Sequence, residues 1–502
     1  MHVWALSADP LARSRYIWTR VLSLESLKVL TMQGTLLLGT PPPFGHSARK
    51  LFAFDPMYIN LNHGSFGSVP RYVTVAVNAL DAVVESNPDR FVRLEYEPAL
   101  TRTRERLARI IGAKPDECVL VPNVALAVNT VLHNIQWAAG DTIIISANIP
   151  FFCPFLIHSR TFVSANLAYD SILRAVQHIC DTTPKLNFSC FEIKLPQSSA
   201  EILERWKQHI KVLKERDSYL SLPTGSKPKI VATFDSITAG PAIILPWREM
   251  AAICKEEGVL SIVDAAHSLG QEANIRLEDT QPDFWVSVKL SSVDRGCQCV
   301  IPFLTFQSCS KWMYAKRACA VLYVPRKHQD MIKSALQTSA HHPSHQTGEV
   351  DTFPMRFFFP GTLDVTIPLS VNHALDFHEW LGGEKKINEY CHQLAVNGGR
   401  RLAEVMGTAV LEGSEEQLGN MANVELPLPS SLPPSFSIYS QLKRLLLDKH
   451  HIYATQFYHN GKWYTRVSAQ IFNEVSDFEK LGAAWLDICR EQMVPKLEYS
   501  DA

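Results

Sequence analysis

The two residues best suited to chemistry are Lys311, in the segment Ser310-Lys311-Trp312, and Asp264, which follows the apolar run 258–263. A desolvated lysine near other cations has a lowered pKa, so part of its amine is neutral and can form a Schiff base. Such an apolar run is typical of a buried parallel strand, and open α/β sheets bind ligands at the carboxyl ends of their strands. A carboxylate about 4 Å from a pyridinium nitrogen would stabilise the charged ring by on the order of 4 kcal/mol. Together the two residues predict a site for pyridoxal phosphate (PLP), with its ring kept protonated as an electron sink.

Each residue alone is a weak signal, because strand-end aspartates often cap helices and single lysines usually lie at the surface. The elements around them strengthen it. Strand and helix patterns alternate, which favours a mostly parallel sheet flanked by helices. We predict strands at 118–121, 142–145, 229–234, 259–263, 283–287 and 318–324, and helices at 98–112, 171–179 and 247–257. A further helix opens at 122–129 directly after a strand, so its free N–H groups form an anion site.

Composition excludes several functional classes. The 502 residues include 49 Lys plus Arg and 50 Asp plus Glu, which gives a net charge of −1 and no basic field for nucleic acid. No apolar run is long enough to span a membrane, and the cysteines form no metal-binding or disulfide pattern. We therefore expect a cytoplasmic protein without a metal site. The alternative is a mitochondrial protein, if residues 1–31 are a genuine transit peptide rather than sequence upstream of a start at Met32.

Two segments, 149–166 and 288–307, interrupt otherwise compact βα units. The first is flanked by a repeat of Ser-Ala-Asn, and removal of the second would join the strand 283–287 to Ser308. We interpret both as retained introns or wrongly predicted exons. A spliced transcript that still encodes both segments would contradict this interpretation.

The order of several motifs resembles a known family. From about Pro43 onward, the chain is similar to the class V aminotransferase family of fold-type I PLP enzymes, in particular to fungal isopenicillin N epimerase-like proteins, a group that includes hercynylcysteine sulfoxide lyases. The motifs are Asn62-His63-Gly64-Ser65-Phe66-Gly67, Asp264-Ala265-Ala266-His267-Ser268-Leu269-Gly270, Ser310-Lys311-Trp312, Gly361-Thr362-Leu363-Asp364 and Arg466-Val467-Ser468. The resemblance implies an α/β fold with a large PLP-binding domain at 46–367, a smaller α+β domain at 368–502 and an N-terminal extension at 1–45.

The resemblance also implies a role for individual residues. Lys311 would be the Schiff-base lysine and proton-transfer base, Asp264 would pair with the pyridinium nitrogen, and His267 would hydrogen-bond the cofactor's phenolic oxygen. The other predicted cofactor contacts are Val124, Ala125, Leu126, Tyr169, Ser308 and, across a homodimer interface, Thr362. The predicted substrate contacts are Arg466, for the α-carboxylate, with Asn62 and His63. The family's phosphate loop carries Thr where Ala125 and Leu126 stand, which leaves only backbone donors there.

The reaction follows from what leaves the substrate. With sulfur on the β carbon of a small amino acid, the expected activity is C–S cleavage of a cysteine-derived compound such as a hercynylcysteine sulfoxide. Without a leaving group, epimerisation or transamination of isopenicillin N epimerase type is the alternative. A persulfide mechanism is disfavoured because the segment 325–342 has no cysteine. A further alternative is an inactive homologue, if the interruptions or the missing threonine abolish PLP binding.

Overall fold

The computed structural model describes residues 39–146, 170–193, 195–215, 228–287, 311–334, 351–411, 415–429 and 432–493. Both segments interpreted as insertions, and residues 1–38 of the extension predicted at 1–45, lie outside this part of the chain. The described end of that extension contacts the fold, since the N–H of Gly45 donates to the carbonyl of Ile471 at 2.7 Å. The predicted boundary between 367 and 368 stays a prediction.

Twelve strands occur among the described residues: β1 Ile59–Asn60, β2 Cys118–Val121, β3 Thr142–Ser146, β4 Asn187–Phe191, β5 Ile230–Asp235, β6 Leu260–Asp264, β7 Phe284–Ser287, β8 Ala320–Tyr323, β9 Met421–Glu425, β10 Ile452–Tyr453, β11 Thr455–His459 and β12 Lys462–Ser468. Seven of them form one sheet in the order β2-β8-β7-β6-β5-β3-β4. Strands β4, β3, β5, β6 and β7 run parallel, whereas β8 is antiparallel to both β7 and β2.

Helices cover both faces of this sheet and also pack against the strands of the later part of the chain. Those of eight residues or more in the described chain are Arg71–Ser86, Tyr96–Ile111, Val124–Asn134, Asp170–Thr182, Ser199–Lys214, Trp247–Glu256, Thr366–Trp380, Gly383–Met406, Phe436–Arg444 and Val475–Met493. Shorter α-helices lie at His63–Phe66, Pro88–Arg90, Leu277–Thr280 and Arg326–Gln329. Side chains alternate across β5: Ile230 and Phe234 pack in one apolar core and Val231 in the other. Both faces are therefore buried, which explains the continuous apolar run.

A separate antiparallel sheet has the strand order β11-β12-β9. A parallel pair, β1 with β10, connects it to the chain's early segment. Asn62 forms a further bridge with Ser468, just after β1 and at the end of β12. These pairings place the glycine-containing segment 62–67, which includes the short helix His63–Phe66, beside the motif around Arg466.

The direction of β8 explains the position of Lys311. Parallel strands β5, β6 and β7 end at one edge of the sheet, and an antiparallel strand begins at that same edge. The residues just before β8 therefore lie above the ends of β5 and β6. The predicted α/β fold with a mostly parallel sheet is confirmed in these elements.

Candidate active site

Lys311 and His267 are in direct contact inside the protein. Lys311 is fully buried, and its Nζ lies 3.1 Å from Nε2 of His267, which is itself buried. Burial, followed by the nearby charge of Arg466, holds the pKa of the Lys311 amine well below 10.5. Because both causes disfavour the ammonium form, this lysine has the neutral amine that a nucleophile or base requires.

Asp264 ends β6 near this lysine. Its carboxylate accepts a hydrogen bond of 3.0 Å from the N–H of Ala266, and burial raises its pKa from 3.8 to about 6. Burial thus outweighs the hydrogen bond from Ala266 and the nearby charge of Lys311, both of which lower the pKa of this carboxyl. A cationic ring nitrogen beside it would restore the ionised form.

A second buried carboxylate, Asp235, was missed by sequence reasoning. It ends β5, is the register partner of Asp264 and is 8% exposed. Burial, and then repulsion from Asp264, raise its pKa well above 3.8. The signal was present in the sequence, because Asp235 follows the apolar run 230–234 just as Asp264 follows its own. Adjacent parallel strands thus bring two acids to the edge that holds Lys311.

Arg466, on β12, is a buried cation held by neutral groups. Its Nη1 donates to the carbonyl of Ala239 at 2.7 Å, and its Nη2 donates to Ser65 Oγ at 2.8 Å and to Asn62 Oδ1 at 3.1 Å. Desolvation lowers its pKa from 12.5 to about 10. No described carboxylate lies within ion-pair distance of this guanidinium, and its Nε has no partner among the described residues. The geometry therefore leaves a buried positive charge available to an anionic ligand group.

His63 begins the short helix His63–Phe66 and packs against the segment that follows Lys311. Its ring makes edge contacts with Trp312, Tyr314 and Phe472, at centroid distances of 5.7, 5.9 and 5.6 Å. Burial lowers its pKa to about 3, so the imidazole is neutral, and neither ring nitrogen has a partner among the described residues. The predicted substrate residues Asn62, His63 and Arg466 are thus brought together, although their roles stay predictions.

The predicted phosphate site has fewer free N–H donors than expected. Helix Val124–Asn134 does follow β2, but the side chain of its N-cap, Asn123, accepts the N–H of Leu126 at 2.6 Å. Of the three predicted amide donors, this leaves those of Val124 and Ala125 for an anion. Thr362 is exposed at the protein surface, while Tyr169 and Ser308 lie outside the described residues.

Two glycines allow close packing next to Lys311 and Arg466, where a side chain would collide with neighbouring atoms. A Cβ on Gly270 would lie 2.6 Å from Trp312 Cβ, and one on Gly64 would lie 2.8 Å from Ser468 Oγ. Together with the neutral amine, the strand-end acid and the buried cation, these residues fit the amine-binding, ring-binding and carboxylate-binding needs of PLP and its amino-acid substrate.

Comparison with curated proteins confirms the resemblance. The chain is 28% identical over 488 residues to an L-cysteine desulfhydrase-like protein of Epichloe uncinata, with 89% of this chain and 96% of that protein covered. It is 28% identical to the hercynylcysteine sulfoxide lyase of Schizosaccharomyces pombe, with 89% and 98% covered. It is 23% identical to the isopenicillin N epimerase of Streptomyces clavuligerus, with 87% and 96% covered. No family model matches the chain.

Solved structures give the same fold. A cysteine desulfurase from Thermococcus onnurineus superposes with a TM-score of 0.62 at 16% identity, covering 90% of this chain and all of that one. A cystine C–S lyase bound to its product, cysteine persulfide, superposes with a TM-score of 0.64 at 16% identity over 86% of this chain and 98% of that chain. The predicted fold-type I architecture is confirmed. In the part of the chain that the structure describes, no helix is both long and apolar enough to cross a membrane.

Proposed function

We propose that this homologue of cysteine desulfhydrase-like proteins and hercynylcysteine sulfoxide lyases is a PLP-dependent C–S lyase acting on a cysteine-derived amino acid. The main support is the contact of 3.1 Å between the Lys311 amine and His267, in a buried site that also contains Asp264 and Arg466. The names of its relatives, L-cysteine desulfhydrase-like protein and hercynylcysteine sulfoxide lyase, agree with this reaction class.

Four residues would bind the cofactor and the substrate. Lys311 would bind PLP covalently, Asp264 would hold its ring nitrogen and His267 its phenolic oxygen. When bound, PLP supplies an electron sink for the pair released at the substrate's α carbon. Arg466 would bind the α-carboxylate through its planar guanidinium, already oriented by Ala239 and Ser65.

Lys311 and His267 would carry out the proton transfers. The neutral Lys311 amine can accept the α-proton, because its pKa is lowered by burial and by Arg466. His267 Nε2, within hydrogen-bond distance of Lys311 Nζ, can orient the amine and exchange a proton with it. Loss of the sulfur substituent from the β carbon then gives a thiol from a thioether, or a sulfenic acid from a sulfoxide. Hydrolysis of the remaining three-carbon unit gives pyruvate and ammonia.

Other reactions have less support in the site. Self-sulfuration would need a mobile cysteine near Lys311, and the described cysteines are buried or partly buried in the fold: Cys118, Cys180, Cys190, Cys254, Cys319, Cys391 and Cys489. Epimerisation would need an acid on the opposite face of the substrate. His63 is an unsuitable acid because burial lowers its pKa to about 3.

The first experiment measures both the visible absorption of bound PLP and the release of pyruvate. Purified protein with PLP is expected to show the visible absorption band of lysine-bound cofactor and to release pyruvate from S-substituted cysteines and their sulfoxides. Lys311→Ala should lose both, whereas Lys385→Ala, on an exposed helix position, should keep both. Protein that stays colourless with excess PLP would support the inactive homologue, and inversion without pyruvate would support the epimerase.

We further propose a homodimer in which Thr362 contacts the cofactor of the partner chain, since this residue is exposed in the single chain. Size-exclusion chromatography at several concentrations tests it. A protein that is monomeric at every concentration tested and still binds PLP tightly would contradict the proposal.

A further inference from the structure

A cavity of about 480 Å³ opens beside the proposed substrate site. Asn62 and Thr455 line this cavity and also contact the guanidinium of Arg466, whose Nη2 lies 3.1 Å from Asn62 Oδ1 and 3.5 Å from Thr455 Oγ1. We call it the distal cavity. The distal cavity therefore adjoins the proposed carboxylate-binding guanidinium across the side chains of Asn62 and Thr455.

The distal cavity is much larger than cysteine needs. Pockets of about 300–1,000 Å³ usually hold ligands of drug size. Cysteine carries only a hydrogen on its sulfur, so it would leave most of the space to water. A substituent on sulfur would fill it.

Aromatic rings form much of the wall. Tyr58 and Tyr453 line the cavity, and burial raises the pKa of each to about 12, so both stay neutral and present ring faces and hydroxyl groups. Phe54 and Phe66 add two apolar rings. Such walls suit a flat or apolar body rather than a fully hydrated chain.

The charged side chains among the described lining residues are all cations. Arg317 and Lys443 line the cavity, and no aspartate or glutamate is among the described lining residues. Arg317 donates to the carbonyls of Phe66 and Gly67, at 3.3 and 3.2 Å, so its contacts there are neutral acceptors. Neither cation lies within ion-pair distance of a described carboxylate. Two uncompensated cations favour an anionic ligand group and disfavour a cationic one.

We propose that the substrate is a cysteine S-conjugate whose substituent has a flat apolar body and a terminal carboxylate, held in the distal cavity by Arg317 and Lys443. This inference rests on the proposed lyase function. The reaction breaks the bond between the β carbon and sulfur, the α-proton goes to Lys311, and one water is consumed, so that the products are the acidic thiol, pyruvate and ammonium.

Matched compounds test the charge separately from the size. S-(4-carboxybenzyl)-L-cysteine and its neutral carbamoyl counterpart have nearly the same shape and the same leaving sulfur. We expect kcat/KM to be roughly tenfold higher for the acid, and higher for either compound than for cysteine. Lys443→Gln and Arg317→Gln should each reduce the ratio of acid to amide severalfold, whereas Lys385→Gln, 90% exposed elsewhere, should not.

Binding of the two product thiols to the PLP-loaded protein gives a readout that does not depend on catalysis. The acidic thiol should bind more tightly, and Lys443→Gln should remove most of the difference. The inference would be overturned if the ratio of acid to amide were near one in both turnover and binding. It would also be overturned if neither Lys443→Gln nor Arg317→Gln changed these ratios, even if C–S cleavage is observed. If no compound is cleaved, the lyase proposal fails, and the thiol binding still decides whether the distal cavity prefers an anion.

Discussion

Replacement of Asp264 by asparagine should make the cofactor-free protein more stable and bind PLP more weakly. In the folded protein burial raises the pKa of this carboxyl from 3.8 to about 6. The asparagine side chain can still accept the hydrogen bond from the N–H of Ala266. The substitution therefore removes the ionisable group with little change in geometry.

The magnitude follows from proton linkage. Above pH 6 the folded protein must ionise a buried carboxyl next to Asp235, whereas the unfolded chain is already ionised above pH 3.8. Stability contributed by the protonated form is thus present at low pH and is lost as the pH rises through 6. About two pKa units at about 1.4 kcal/mol each correspond to about 3 kcal/mol at pH 8 and about 1 kcal/mol at pH 4.5. Asp264→Asn should recover these amounts.

Guanidinium unfolding of the cofactor-free protein at pH 8 and pH 4.5 measures the gain, and PLP titration measures the loss of affinity. Asp279→Asn, in an exposed ion pair with Arg276, is the matched control and should change neither quantity by much. The reasoning is refuted if Asp264→Asn is no more stable than the parent at pH 8, or if its gain is the same at both pH values.

Two further substitutions test how the site is held. Arg466→Lys keeps the charge but loses the planar pair of donors, so we expect kcat/KM for the substrate to fall about 30-fold, or about 2 kcal/mol. Arg401→Lys, in an exposed ion pair, is its control, and a fall below threefold would contradict the role of Arg466. Gly270→Ala places a Cβ 2.6 Å from Trp312 Cβ and should displace the lysine segment and abolish most PLP binding. Gly258→Ala meets nothing within 4 Å and should cost only about 1 kcal/mol. Equal PLP affinities of the two variants would disprove the packing argument.

The local pattern of residues was sufficient to predict most strands of the large sheet and two residues at its reactive edge, Asp264 and Lys311. The strands predicted at 118–121 and 259–263 are observed at Cys118–Val121 and Leu260–Asp264. Such agreement is expected because a strand buried on both faces needs a continuous apolar run, and the run ends where the chain leaves the sheet. Strand β4 was not predicted because it is partly exposed and its apolar pattern is weaker. The helix Ser199–Lys214 was also not predicted, although its capping box and apolar spacing are visible in the sequence.

The sequence by itself thus determined the class of fold and identified Lys311 and Asp264 as candidates, because their types and their positions next to recognisable elements are local properties. Arg466 became a candidate only through the resemblance to a known family. Only the tertiary structure decided which residues meet. Asp235 lies beside Asp264 because β5 pairs with β6, and Arg466 contacts Asn62, 404 positions earlier, because β12 and the early loop converge. The distal cavity likewise combines residues from both ends of the chain. Strand order and domain packing depend on contacts between distant segments, and no local pattern encodes these distances.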